Sequence, residues 1–319
     1  MQEGPFTQMF DAKEYVLKPV YFEIEVLEKY FKNPKYLVFY SDYRGSVLLM
    51  NGYEEIRDFG LAYYKKDTTM RAIVTFAEDL KKMPIKTQGY WFSYLLDEQD
   101  ECFPNEGFVK NLILGDWVED ISIYQALLME IHYINKMCKA VSIEPMFREE
   151  FPYDDLSQNN RPIGYHNILL PTRENYYNFI NTLEKMTTSN INIKTFQRST
   201  PMIKGVDNTY TDKSGNTHTQ IKNSVSLLDD WLNANISNNP NIHSDIIIPL
   251  KKLVKLRQTP AHRLYENEYD KRIWNNQNEL MHEIYTAIRN IRLAIALHPF
   301  AKQVHVDETL FEGKRIVIY

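Results

Sequence analysis

The sequence predicts an α+β protein, because strand-like and helix-like segments mix in its first part while helical segments fill its last part. Aromatic and β-branched residues cluster in short segments within the first hundred residues, as they do in strands. Beyond residue 224, apolar residues recur at spacings of three and four, as they do in amphipathic helices. The 319 residues, 44% of them hydrophobic, can form one large or two modest domains, and we favour two.

Short elements follow one another near the beginning of the chain. Gly45 lies between two strand-like segments and is expected to supply the positive φ of a hairpin turn. Asn33-Pro34 is expected to end a helix that precedes them. From the apolar spacing and the aromatic content we predict, in order, a helix over 20–31, strands over 36–40, 46–50 and 59–64, and a helix over 70–82.

Two longer helices are predicted in the middle of the chain. Asp120 is expected to cap a helix over 121–141, and Thr172 to cap one that ends near Met186. The loop-forming residues 149–161 separate the two. The predicted buried stripes are Ile123, Leu127, Ile131, Ile134 and Cys138 in the first helix, and Tyr176, Phe179, Ile180 and Leu183 in the second.

Residues 198–223 are rich in Asn, Thr, Lys and Gly without an apolar pattern, so we predict a linker or long loop there. It divides an α+β region of residues 1–197 from a helical bundle of residues 224–300, which is followed by a tail, 301–319, with a short strand. Three helices are expected in the bundle, opened by Ser224 or Ser226, by Ser244 and near Asn278. The core face of the third helix is Leu280, Ile284, Ala287, Ile288, Ile291 and Ile295.

Composition excludes several classes of function. The net charge of −5 and the pI of about 6.0 are not those of a protein that coats nucleic acid, so contact with RNA must be local. Two cysteines, Cys102 and Cys138, cannot form a disulfide framework and favour a reducing compartment. No signal peptide and no run of about 18 apolar residues is visible, so we expect a cytoplasmic protein without membrane contact.

One group of residues can carry chemistry. Arg257 and His262 lie near the end of the second C-terminal helix, and Pro260 between them predicts a bend that brings them closer. A guanidinium binds phosphate permanently, and an imidazole exchanges protons near neutral pH. Together they can cleave RNA without metal, because the 2′-hydroxyl is already present as the nucleophile.

The surrounding residues are locally basic. Between residues 251 and 272 there are seven basic residues and three acidic ones, in a chain that is acidic overall. Gln258, Lys255 and Arg263 are expected to contact substrate beside the Arg–His pair. Tyr265, Asn267 and Lys271 follow in the chain and can line the same cleft by stacking on a base or contacting phosphate.

The stretch Leu-Arg-Gln-Thr-Pro-Ala-His ending at His262, with amphipathic helices on both sides, resembles the R-x4-6-H signature of the higher eukaryote and prokaryote nucleotide-binding (HEPN) domains. These domains are small helical bundles, often dimeric, and many are metal-independent RNases of toxin, antiphage and CRISPR-associated systems. The resemblance covers residues 224–300. It implies a homodimer in which Arg257 and His262 form the catalytic site with their symmetry mates. Gln258 stands where active members often have Asn, Asp or His.

Two other interpretations remain open at this stage. Arg257 can simply extend a polar end over the apolar stripe of its helix, with His262 closing the helix end. The bundle can also be catalytically silent and serve as a binding or assembly component of a multi-protein defence system. In either case we expect no metal and no cofactor, and the region 1–197 is the candidate surface for a protein partner.

Overall fold

The computed structural model is an α+β fold, as predicted, with 50% helix and 18% strand. The structure describes residues 3–10, 17–51, 54–116, 120–153, 161–197, 207–235, 241, 243–261 and 266–319. The larger sheet comes from the first 104 residues, and the longest helices come after residue 122.

The strands of the described residues are β1 (Pro19–Glu23), β2 (Tyr36–Ser41), β3 (Arg44–Leu49), β4 (Glu54–Tyr64), β5 (Arg71–Phe76), β6 (Cys102–Pro104), β7 (Ile121–Ser122), β8 (Asp207–Thr211), β9 (Thr217–Ile221) and β10 (Ile316–Val317). The α-helices are α1 (Pro5–Met9), α2 (Glu28–Phe31), α3 (Ala77–Lys82), α4 (Ile85–Phe92), α5 (Glu106–Val109), α6 (Ile123–Ala140), α7 (Arg173–Met186), α8 (Ile193–Gln197), α9 (Ser224–Asn235), α10 (Ile248–Ala261), α11 (Arg272–Ile295) and α12 (Glu308–Glu312). Short 3-10 turns span Ile24–Leu27, Gln99–Glu101 and Ala301–Gln303, and π-helical turns span Lys110–Leu114 and His243–Ile247.

The larger sheet is antiparallel and has the strand order β1-β5-β4-β3-β2, with β6 paired to the end of β4. Two strands of this sheet stand where helices were predicted. Residues 71–76 form β5, and the helix α3 begins only at Ala77. Likewise β1 and a 3-10 turn occupy most of 20–31, and only its last four residues form α2.

The hairpin between β2 and β3 is confirmed, but its turn differs from the prediction. Ser41 pairs with Arg44, so Asp42 and Tyr43 form a two-residue turn, and Asp42 rather than Gly45 has the positive φ of 51°. Gly45 lies inside β3, where a Cβ atom would stand 2.5 Å from the Phe39 carbonyl oxygen and from the Phe59 ring. Glycine is therefore required there by close packing.

The two helices of the middle region are confirmed with one change at a cap. Ser122, not Asp120, caps α6, because its side chain accepts a hydrogen bond from the Gln125 amide. Thr172 caps α7 as predicted, by accepting from the Asn175 amide. The predicted apolar stripe of α6 is buried throughout, and so are Phe179, Ile180 and Leu183 of α7.

The predicted linker, 198–223, contains regular structure. Strands β8 and β9 pair as an antiparallel hairpin between Asp207 and Ile221, so this part is not a structureless loop. Gly215 in its turn has a φ of +85°, a conformation that glycine adopts without strain. Residues 198–206 lie outside the described residues.

The helices α6, α7, α9, α10 and α11, which we call the helical body, share one hydrophobic core. The predicted core face of α11 is entirely buried, and α6 packs along it. This core begins at Ile123, so α6 and α7 pack with the helices that follow residue 224. The predicted domain limits stay a prediction. The packing nevertheless joins α6 and α7, from the predicted region 1–197, to helices of the predicted bundle 224–300.

The sheet and the helical body meet at Trp274 of α11, which is buried among residues of the sheet core. Its indole Nε1 donates to the Ile168 carbonyl oxygen at 2.9 Å. From the sheet, buried Arg71 donates to the same carbonyl at 3.0 Å and lies over the Trp274 ring. In the described parts of the chain, no helix combines the length and the apolar character that crossing a membrane requires.

Candidate functional site

Helix α10 carries the predicted catalytic arginine near its end. Leu250 and Leu253 are fully buried in the core of the helical body, which fixes the orientation of the helix. The outer face presents Lys251, Lys255 and Gln258 as exposed residues. Arg257 follows Leu253 by four residues and Leu250 by seven, so the helical period places it on their side of the helix, where it contacts Glu184 of α7.

The side chain of Arg257 is 48% exposed. Its Nε lies 3.9 Å from Oε2 of Glu184 on α7, whose side chain is only 7% exposed. At this distance the contact is a long ion pair and not a hydrogen bond. The guanidinium of Arg257 can therefore turn towards an anion from solution without breaking a hydrogen bond to Glu184.

Glu184, the buried carboxylate that pairs with Arg257, was not predicted from the sequence. Its Oε1 accepts hydrogen bonds from the Thr188 hydroxyl at 2.9 Å and from the Ser189 hydroxyl at 2.7 Å. Its Oε2 is buried and accepts no hydrogen bond from the described residues. A signal existed: Glu184 lies one turn after Ile180 on the buried stripe, near the end of α7 where a carboxylate opposes the helix dipole.

The second predicted catalytic residue, His262, lies outside the described residues, as do Arg263 and Tyr265. Helix α10 continues through Pro260 and ends at Ala261, one residue before His262. The bend expected at Pro260 and the approach of His262 to Arg257 therefore stay predictions.

The predicted substrate-binding residue Asn267 has a structural contact. Its Oδ1 accepts from the Glu174 amide at 3.0 Å, and its Nδ2 donates to the Glu174 carboxylate at 3.1 Å. Both ends of this side-chain amide thus bind the first turn of α7. Lys271 stands at the beginning of α11 and is exposed. A substrate role for either residue stays a prediction.

The basic surplus that the sequence shows is partly neutralised by acidic neighbours from other segments. Four of the basic residues form ion pairs: Lys251 with Asp229, Lys252 with Glu283, Arg272 with Asp270, and Arg257 with Glu184. In the first three pairs the basic side chain is exposed, so each pair contributes little to stability, but each lowers the local positive charge. Lys255 and Lys271 of the same segment are exposed.

Within the described residues, no group of three or more His, Cys, Asp and Glu side chains is arranged to hold a metal ion. Comparison of the chain with protein-family models finds no match. Neither curated proteins nor solved structures show a significant similarity to it.

Proposed function

We propose that this protein cleaves RNA without a metal ion, through Arg257 and His262, as a HEPN-like RNase of a toxin or antiphage defence system. The observation that supports this proposal is the state of Arg257. It is a half-exposed cation near the end of a helix anchored by buried Leu250 and Leu253, and among the described residues its guanidinium forms one long ion pair, with Glu184. Its helix ends one residue before His262 in the sequence.

In the proposed reaction, the imidazole of His262 takes the proton of an RNA 2′-hydroxyl, whose oxygen attacks the adjacent phosphorus. The bond from phosphorus to the 5′-oxygen breaks, and a protonated histidine returns a proton to that oxygen. Arg257 stabilises the additional negative charge on the phosphoryl oxygens during the attack. The products are a 2′,3′-cyclic phosphate and a free 5′-hydroxyl.

We further propose a homodimer through the C-terminal helices, so that the symmetry-related pair completes the site. The region 1–197 would then bind a protein partner or recognise the activating signal. The proposed location is the cytoplasm, where the two thiols stay reduced. Lys255 and Gln258 are exposed residues of the same helix and are the described candidates for substrate contact.

A second candidate function is a non-catalytic binding or assembly component of a multi-protein defence system. Two contacts favour it. The carboxylate of Glu184 faces Arg257 within the same chain, and the amide of Asn267 is engaged at both ends by Glu174. Both residues would then contribute to the fold and not to a reaction.

The test is cleavage of labelled single-stranded RNA and tRNA in the presence of EDTA. We expect the wild type to cut, and His262→Ala and Arg257→Ala each to lose about 100-fold or more of the rate. His282→Ala is the matched control, because His282 is an exposed histidine of α11. Circular dichroism and gel filtration establish that all variants are folded and have the same oligomeric state.

Two results would reject the proposed RNase. One is cutting that persists undiminished in His262→Ala, which would locate the activity elsewhere. The other is a folded wild type that binds RNA or a partner protein but never cuts, which favours the second candidate function.

A further inference from the structure

A cavity of about 500 Å³ opens between helix α7 and the segment 163–170, on the side of α7 away from the core. Cavities of this volume commonly hold small molecules. Its lining contains asparagine, threonine, histidine and apolar residues, and no Asp, Glu, Lys or Arg among the described residues. A lining without charged side chains favours an uncharged ligand, because it offers no ion pair to a phosphate or carboxylate.

Helix α7 supplies a row of polar side chains to this cavity. Asn175 donates to the Leu170 carbonyl oxygen at 2.9 Å, and Thr182 donates to the Ile163 carbonyl oxygen at 3.1 Å. Between them, Asn178 and Asn181 also line the cavity, and their side chains make no hydrogen bond with any residue that the structure describes. Each of these two amides can offer a donor and an acceptor to a ligand.

A tight turn forms the rim. The Tyr165 amide donates to the Pro162 carbonyl oxygen at 2.9 Å, and Gly164 has a φ of +83°. A Cβ atom on Gly164 would lie 3.3 Å from the Thr182 hydroxyl, so the turn packs closely on α7. This packing leaves Ile163 at the apex 97% exposed, and Phe31, which also lines the cavity, is 43% exposed. Both offer apolar surface to one face of a ring.

His166 adds an acceptor to the cavity. Its Nδ1 lies 2.8 Å from the Asn167 carbonyl oxygen, which can only accept, so Nδ1 carries the proton. Burial lowers the pKa of His166, which keeps the ring neutral at physiological pH. The other ring nitrogen, Nε2, is then an acceptor.

We propose that this cavity binds an uncharged nucleobase, with its ring against Phe31 and Ile163 and its edge hydrogen-bonded to Asn178 and Asn181. Side-chain amides match the adjacent donors and acceptors of base edges, and aromatic rings stack on unpaired bases. A free nucleoside and an unpaired base of an RNA strand share this chemistry. The site is distinct from Arg257 and requires no cleavage.

The first experiment is calorimetric titration of the full chain with adenosine, guanosine, cytidine and uridine, and with glucose and maltose as uncharged sugars. We expect at least one nucleoside to bind, and Asn178→Ala and Asn181→Ala each to weaken it by about tenfold or more. Alanine has the higher helix propensity, so neither change should unfold α7. Asn275→Ala is the matched control, because Asn275 is an exposed asparagine of α11 that lines a different cavity.

A second titration uses single-stranded 2′-O-methyl RNA, which has no free 2′-hydroxyl and cannot be cut by the proposed reaction. If nucleosides bind, a free nucleoside is sufficient as the ligand. If only the RNA strand binds, and Asn178→Ala weakens that binding, the ligand is an unpaired base of an RNA strand. The proposal is overturned if neither probe binds, if the sugars bind as well as the nucleosides, or if both α7 variants bind like the control. None of these results depends on RNase activity. Failure of the nucleobase site can therefore be distinguished from failure of the proposed RNase.

Discussion

Two arginine–glutamate pairs of the helical body have the same chemistry and opposite surroundings. Arg292 of α11 and Glu130 of α6 are 2% and 0% exposed, and the guanidinium donates from Nε and Nη2 to both carboxylate oxygens. Nη2 also donates to the Leu310 carbonyl oxygen at 3.2 Å. Arg257 is 48% exposed and contacts Glu184 only at 3.9 Å.

The difference shows how burial determines what an arginine can do. Arg292 fixes α6 against α11, because any movement would leave a charge without its partner in the core. The side chain of Arg257 is about half exposed and makes only a long contact with Glu184, so its guanidinium can reach an anion at little cost. The sequence alone gives both arginines the same appearance, namely a basic residue on an amphipathic helix.

Breaking the buried pair should have the largest effect on stability. Arg292→Met leaves the Glu130 carboxylate in the core without its partner, and we expect the free energy of unfolding to fall by about 3–5 kcal/mol. Burial raises the pKa of Glu130, and Arg292 opposes that shift, so the variant carboxyl should take up a proton more readily. Urea denaturation at neutral pH measures the loss.

The double variant Glu130→Met/Arg292→Met is the control for this prediction. It removes both charges and keeps most of the packed volume, so we expect it to recover much of the lost stability. A single variant that costs less than about 1 kcal/mol would mean that the pair is accessible to water, and the contrast with Arg257 would disappear.

At the pair of Arg257 and Glu184 we expect a smaller loss of stability. This loss comes from hydroxyl groups that bind Glu184 and not from the arginine. Glu184→Ala removes the carboxylate oxygen that accepts from the Thr188 and Ser189 hydroxyls, and this should cost about 1–3 kcal/mol. Urea denaturation of the variant beside the wild type provides the measurement.

Two matched variants separate these contributions. Glu184→Gln keeps an oxygen for the two hydroxyls, and Arg257→Ala removes only the exposed cation, so each should lie within about 1 kcal/mol of the wild type. If Arg257→Ala destabilises the protein as much as Glu184→Ala, Arg257 is structural and its proposed role with phosphate is lost.

The sequence predicted the helices of the helical body better than strand β5 of the sheet. The stripe of α11 is clear because one face is buried and the other is exposed. In β5, all six residues are buried, since the strand lies between β1 and β4 with both faces covered. A strand covered on both faces has no alternation, and the spacing of Ile73, Phe76, Ala77 and Leu80 then matched a helix.

The candidate site also shows how far the sequence pattern alone can predict structure. The alignment of Arg257 with Leu250 and Leu253 could be predicted, because it depends on the period of one helix. The contacts of Glu184 and Asn267 could not, because they join segments that are 73 and 93 residues apart in the chain, from Glu184 to Arg257 and from Glu174 to Asn267. Local patterns carry no information on such pairings. The relation of His262 to Arg257 stays a prediction for the same reason.

His166 is a buried titratable group that, unlike the two arginine–glutamate pairs, is neutral. We expect its effect on the free energy of unfolding to be the smallest of the three. Its folded-state pKa is lowered, chiefly by burial, so its contribution to stability is complete above the unfolded pKa of about 6.5 and is lost as the pH falls below it. We expect the wild type to lose more stability than His166→Asn between pH 7.5 and pH 5. Urea denaturation at both pH values compares the two proteins, in which all other titrating groups are shared. Equal losses would show that folding does not lower the pKa of His166.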